Sequence, residues 1–182
     1  MEVRTLENYE IHQDTIALLP HFFNNGEIGT LVLESDGCVY IRQEPLKIID
    51  SSCQYYGSSY RGRKEGTRTV IQITHKAPIA ISSSNGIYFF PTMSPTLKDC
   101  IWISQAHVLK SEKVDITRTN VTFTNGSTYI IGISRNSFEN QFLRATKLKS
   151  MLDTRSGFKK MLLRNTESSV AEKRNSDIWV LD

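Results

Sequence analysis

The sequence predicts an α+β fold: a mainly antiparallel β domain, one C-terminal amphipathic helix and a flexible basic and polar tail. Three observations carry that expectation. Short apolar segments alternate with asparagine-glycine and aspartate-glycine turn signals through roughly the first 133 residues. Near Ser134 the apolar period changes from two to about 3.6. The last part, NTESSVAEKRNSDIWVLD (165–182), is mostly polar and lacks a sustained period. The expected division is therefore a β-rich domain over 1–152, closed by a helix near 136–152, and a tail over 153–182.

Taken in order, TIALLP (15–20), TLVLES (30–35), CVYIR (38–42) and LKIID (46–50) read as short strands, separated by turns at Asn24-Asn25-Gly26 and Ser35-Asp36-Gly37. Pro20 and Pro45 argue against helix in this part. VIQIT (70–74) alternates as a half-buried strand does, and HKAPIAI follows with Pro78 at its edge. Asn85-Gly86 predicts a hairpin into IYFFP, whose Tyr88, Phe89 and Phe90 belong to a core rather than to a stacking platform. CIWISQAHV (100–108) reads as one strand. Asn125-Gly126 between TNVTFT and STYIIGIS is the clearest hairpin, with a type I′ turn expected. Asn136 with Glu139 predicts a helix cap, after which Phe138, Phe142, Ala145, Leu148 and Leu152 form one apolar stripe. In the tail, Ile178, Trp179, Val180 and Leu181 are the residues able to dock on the body or on a partner.

The segment 57–68 stands apart. Its twelve residues hold three glycines, three small hydroxyls and four cations. Glycine costs about 1 kcal/mol in a helix interior relative to alanine, so the expectation is an exposed basic loop after Tyr55 and Tyr56. Guanidinium groups suit phosphates and narrow grooves.

Charge is distributed unevenly. Residues 1–50 carry nine acids and three cations, residues 51–110 seven cations and two acids, and residues 111–182 twelve cations and eight acids. That polarity points to a polyanion-binding face built from the middle and C-terminal parts. No apolar run reaches about 18 residues, so no transmembrane helix is expected, and the polar N-terminus implies a cytoplasmic address. Cys38, Cys53 and Cys100 are odd in number and widely spaced, which argues for reduced thiols and against a metal cluster; no metal and no cofactor are expected. His12 and His21 read as surface histidines.

Four blocks, SSCQYYGSSYRGRKEGT (51–67), THKAPI (74–79), FFPTMSPTLKDCIWISQAHV (89–108) and ISRNSFENQFLRATKL (133–148), together resemble the bacterial competence transcription factor ComK family. The resemblance covers about residues 9 to 150. Ala77 stands where the family pattern has a second proline, and beyond Leu152 the pattern is not aligned. The resemblance implies a DNA-binding activator of DNA-uptake genes that reads promoter sites of paired A-runs and T-runs, mainly through the minor groove. It implies dimers or higher oligomers, contact with RNA polymerase, a cytoplasmic, nucleoid-associated location, and disposal by an adaptor-fed cytosolic ATP-dependent protease. FKKMLL (158–163) is the nearest recognition segment for such an adaptor.

The residues expected to touch DNA are Tyr60, Arg61, Gly62, Arg63, Lys64, Arg68 and Lys76. Arg61 and Arg63 are assigned to the minor groove, Tyr60 to sugar or phosphate at its rim, and Lys64, Arg68 and Lys76 to phosphates. Arg144, Lys147 and Lys149 are secondary contacts, in a stretch from Arg144 to Arg164 with seven cations and one acid. Two rival classes stay in view. One is a metal-independent nuclease using His75 and His107 near Arg61; the other is an RNA-binding β module stacking bases on Tyr55 and Tyr56.

Overall fold

The computed structural model describes residues 5–176. The strands are β1 (Thr5–Leu6), β2 (Thr15–Phe22), β3 (Ile28–Glu34), β4 (Cys38–Ile41), β5 (Ile79–Ser82), β6 (Ile87–Pro91), β7 (Trp102–Ser104), β8 (Val108–Lys113), β9 (Thr119–Phe123) and β10 (Thr128–Ile131). The helices are α1 (Pro45–Tyr55), α2 (Tyr60–Ile71) and α3 (Arg135–Ser176). Seven strands form one sheet in the order β1-β4-β3-β2-β7-β6-β5, and three form a second in the order β10-β9-β8. All pairings are antiparallel except β1 with β4. The expected α+β class, mostly antiparallel with a C-terminal helix, is what the chain adopts.

Both faces of the larger sheet are covered. On one, Leu18, Val32, Ile41, Phe89 and Trp102 pack against Ile48, Ile49 and Cys53 of α1. On the other, Ile16, Phe90 and Ile103 meet Val121 and Phe123 of the small sheet and Phe138 and Ala145 of α3. Phe89 and Phe90 are successive strand residues and therefore serve opposite cores, both fully buried. A third cluster, Ile71, Ala80, Tyr88 and Leu148, seats α2 and α3 over β5 and β6.

Five local expectations are corrected. LKIID is helical: Pro45 takes the first helical position, where its missing N–H is harmless, and Ile48, Ile49, Ser52 and Cys53 recur on one buried face. The basic segment and VIQIT are not loop and strand; Tyr60–Ile71 is α2, which stops where Gln72 turns left-handed (φ 60). The strand expected over 100–108 is three residues long and passes through a 3-10 turn, Gln105–His107, before β8. The hairpin at Asn125-Gly126 is present, but only Gly126 has positive φ, and its N–H donates to Phe123 O at 2.9 Å. That is a type I turn followed by a left-handed glycine, not type I′. The cap of α3 is Ser134, whose Oγ accepts from Ser137 N at 3.3 Å, while Glu139 pairs with Arg135 at 2.7 Å.

The expected apolar stripe of α3 faces the core, with Phe138, Ala145 and Leu148 buried. The helix then continues to Ser176, past the point where that stripe ends. No proline interrupts residues 135–176. Ile178, Trp179, Val180 and Leu181 lie outside the described residues.

Candidate nucleic-acid interface

Helix α2 forms despite Gly62 and Gly66, each costing about 1 kcal/mol in a helix interior. What offsets them is a set of anchors at the two ends. Ser59 is the N-cap, and its Oγ accepts from Gly62 N at 3.1 Å. Asp50, reaching across from α1, accepts from Tyr60 N at 2.8 Å. The Tyr60 ring stands edge-on to Trp102, with centroids 6.1 Å apart. Buried Thr67 donates through Oγ1 to Pro78 O at 2.7 Å, and Ile71 enters the third cluster. Caps of this kind contribute about 1 kcal/mol each.

Between those anchors one face is open. Arg61, Lys64, Glu65 and Arg68 follow the i, i+3, i+4, i+7 spacing of a single helical face and, with Thr74, line a shallow depression of about 330 Å³. The Arg61 side chain is 89% exposed and pairs with Glu65 at 3.1 Å. Such an exposed pair contributes about 0–1 kcal/mol, so a phosphate displaces it at little cost. A Cβ at Gly66 would meet nothing within 4 Å, and one at Gly62 would reach only the hydroxyls of Ser58 and Ser59, at 3.3 and 3.4 Å. At about 100° per residue, the strip left bare by Gly62 and Gly66 lies well over 90° around the helix from the centre of the cationic row. Lys76 is exposed and left-handed (φ 48) just beyond the helix.

Not every expected contact residue shares this face. At about 100° per residue, Arg61 and Arg63 lie roughly 200° apart around the helix. Arg63 turns inward, donates through Nη2 to Tyr56 O at 3.2 Å, and buries an Nε that has no protein partner. Tyr60 is half-buried, and burial raises its hydroxyl pKa above the ordinary value. Arg144 ties α3 to the turn after α2, donating to His75 O and Gln141 Oε1, both at 3.4 Å. Lys149 pairs with Asp153 and lies 5.9 Å from the centre of the Tyr88 ring, whereas Lys147 is exposed. Burial, and after it Asp153, pushes the Tyr88 hydroxyl up to about 12.

His107 is held between Thr124 Oγ1 (2.9 Å) and Gln13 O (2.7 Å), which gives it a structural task. Among the described residues no three His, Cys, Asp or Glu side chains could hold a metal ion together, and no helix is long and apolar enough to cross a membrane. Burial, the largest cause in each case, raises the Cys53 thiol to about 12 and Cys100 to about 11, so both are protonated near neutrality. Asp50, Ser59 and Thr67 were missed as supports of the site. Only Ser59 left a readable trace, a serine standing just before the helix it caps.

The family described as ComK protein matches residues 6–157. A "Competence transcription factor" of Bacillus subtilis (strain 168) is 45% identical over 150 residues, which are 82% of this chain and 78% of that protein. No solved structure matches the chain.

Proposed function

The chain belongs to the ComK family, a family of transcription factors and not of enzymes, and from that premise we propose how it engages duplex DNA. It is a transcriptional activator of competence genes. Its reading element is the open face of α2: Arg61, Lys64 and Arg68 form the cationic row and Lys76 extends it. The observation that carries this reading is that row, three cations on one exposed helical face with only a weak internal pair to give up.

Within the row, Arg61 is the residue for the minor groove of an A/T run, because narrow A-tract grooves carry enhanced negative potential that attracts an inserted arginine. Lys64, Arg68 and Lys76 meet phosphates, which set affinity rather than sequence. Arg63 serves from behind, fixing α2 against Tyr56, and Tyr60 sits at the rim. Gly62 lies toward the hydroxyls of Ser58 and Ser59 and away from the row, and Arg144, Lys147 and Lys149 are secondary contacts where the duplex extends over α3. Paired A-run and T-run sites call for a dimer or higher oligomer with half-sites about one turn, roughly 10 bp, apart. The same reading places the protein on the nucleoid in the cytoplasm and in contact with RNA polymerase, with removal through an adaptor of a cytosolic ATP-dependent protease. Residues 1–152 are the DNA-binding unit and 153–182 an appended tail.

The test is base substitution in the A/T runs. I·C pairs keep nearly the minor-groove edge of A·T while changing the major-groove pattern, so binding persists; G·C pairs put an amino group on the groove floor and weaken it. Loss of binding with I·C would exclude the minor-groove assignment. Adding five base pairs between half-sites should remove cooperative binding, and unchanged affinity would exclude the symmetric dimer.

A further inference from the structure

Four strands lie at the edges of the two sheets: β1 and β5 of the larger, β8 and β10 of the smaller. An open edge presents unpaired N–H and C=O groups to another strand, and folded chains blunt such edges by shortness, cover, charge or a bulge. Three of the four are blunted here. β1 has only two residues. β5 is wholly buried, with all three helices against it, and its pairing with β6 is bulged. β8 exposes Lys110, Glu112 and Lys113, is bulged against β9, and meets α3 where Ser111 donates to Glu139 at 3.3 Å. β10 has no charge, no proline and no bulge, and no cover among the described residues. On it Tyr129 is 39% and Ile130 52% exposed.

The register determines what this edge offers. Phe123 N donates to Ser127 O at 2.9 Å, and bonded positions alternate along an antiparallel pair. Tyr129 and Ile131, opposite Val121 and Thr119, therefore spend their backbone groups on β9. Those of Thr128 and Ile130 point outward. An antiparallel copy of the same strand satisfies them all: with a two-fold axis at Tyr129, each Thr128 pairs with Ile130 of the second copy, and no outward group is left over. The two Tyr129 side chains then face each other at a non-bonded position, where side chains come closest. Thr119 to Ser134 carries no charge, so the two copies meet without like-charge repulsion. Only a second copy also ends the assembly. The joined sheet has six strands, and its two new edges are both β8, which is charged and bulged; a strand from another protein would bring an edge of its own.

We propose that β10 is the self-association edge of this chain, pairing antiparallel with β10 of a second copy about a two-fold axis at Tyr129. The inference deepens the dimer of the preceding reading by naming its surface, and it rests on that reading for the two-fold symmetry alone.

The test is sedimentation of the full chain without DNA, over rising concentration. A reversible monomer–dimer equilibrium is expected. Tyr129→Lys and Tyr129→Glu each place like charges across the axis and should each weaken it at least about tenfold, with the melting transition kept. Mixing the two variants should restore the dimer, because lysine then faces glutamate. Ile130→Pro removes an outward N–H that β9 does not use, and should weaken the dimer as well. Undiminished dimers in these variants, or a mixture that stays monomeric, overturn the proposal and leave the dimer of the DNA reading to another surface. A wild-type chain that is monomeric at every concentration overturns both, and protected Thr128 and Ile130 amides in that monomer would give the edge to another segment of the same chain. The cationic row of α2 is untouched throughout, so no outcome here bears on its contact with DNA.

Discussion

Helices α1 and α2 are neighbours of 11 and 12 residues, yet they are held by different means. α1 buries Pro45, Ile48, Ile49, Ser52 and Cys53, a continuous face against the sheet. α2 buries only Thr67 and Ile71 and depends on its ends: a serine cap, an aspartate lent by α1, one buried hydroxyl bond and a left-handed stop. A helix fixed by an apolar face has that face occupied. One fixed at its ends keeps most of its circumference for a partner, at the cost of marginal local stability.

The largest expected effect breaks the first helix. Ile48→Ala should lower unfolding free energy by about 2–5 kcal/mol in urea titration, because a fully buried side chain leaves a cavity. Arg61→Ala should do the reverse. DNA affinity falls by about 1–3 kcal/mol by gel shift or anisotropy. Stability stays within about 0.5 kcal/mol, as for an exposed residue. If Arg61→Ala destabilises as Ile48→Ala does, the contrast between the helices is false.

Ser59→Ala tests the dependence on ends. Losing the cap should cost about 1 kcal/mol and reduce DNA affinity with it, since the reading face frays from its start. Gly66→Ala sharpens the comparison from the other side. Added helix propensity in open space should raise stability by about 0.5–1 kcal/mol and leave DNA affinity unchanged, because the new methyl group stands away from the cationic row. A variant that binds DNA more weakly would show that the duplex reaches round to Gly66 and that the row is not the reading face.

The smallest effect is alkaline and belongs to the core around α1. The folded thiols of Cys53 and Cys100 titrate near 12 and 11, above their ordinary value of 9. Unfolded chains therefore release those protons first as pH rises. The stability from keeping the thiols neutral is whole below pH 9 and is lost as pH climbs through 11 and 12. At neutral pH only exposed Cys38 should react promptly with a thiol reagent, and Ile48→Ala should release Cys53 as well.

What the sequence made legible were features governed by neighbours along the chain. The three asparagine-glycine turns, the short apolar strands β2, β3 and β6, and the Phe138–Leu152 stripe depend on local composition and period, and all are present. α1 is hidden because Pro45 reads as a break where it marks a start. α2 was hidden because two glycines argue against helix, and the groups that overrule them, Asp50, Trp102 and Pro78 O, are brought near only by the fold. For the same reason the inward turn of Arg63 could not be foreseen: the row of cations was readable, but which of them faces outward depends on helical phase. The shortening of β7 likewise follows from the handover of the chain from one sheet to the other.

The three hairpin glycines have a chemical corollary. Asparagine followed by glycine ages by deamidation, in which the glycine nitrogen attacks the asparagine side chain and closes a succinimide ring. In this fold the attacking nitrogens of Gly26, Gly86 and Gly126 are already hydrogen-bonded to Phe23 O, Ser83 O and Phe123 O, at 2.9, 3.2 and 2.9 Å. The Asn125 side chain is further held by Ser127 and by Glu34 O. The turns that make these dipeptides useful thus restrain the reaction that would consume them, and unfolding removes the restraint at all three sites together. The isoaspartate content of a preparation becomes a record of how long its molecules have spent unfolded.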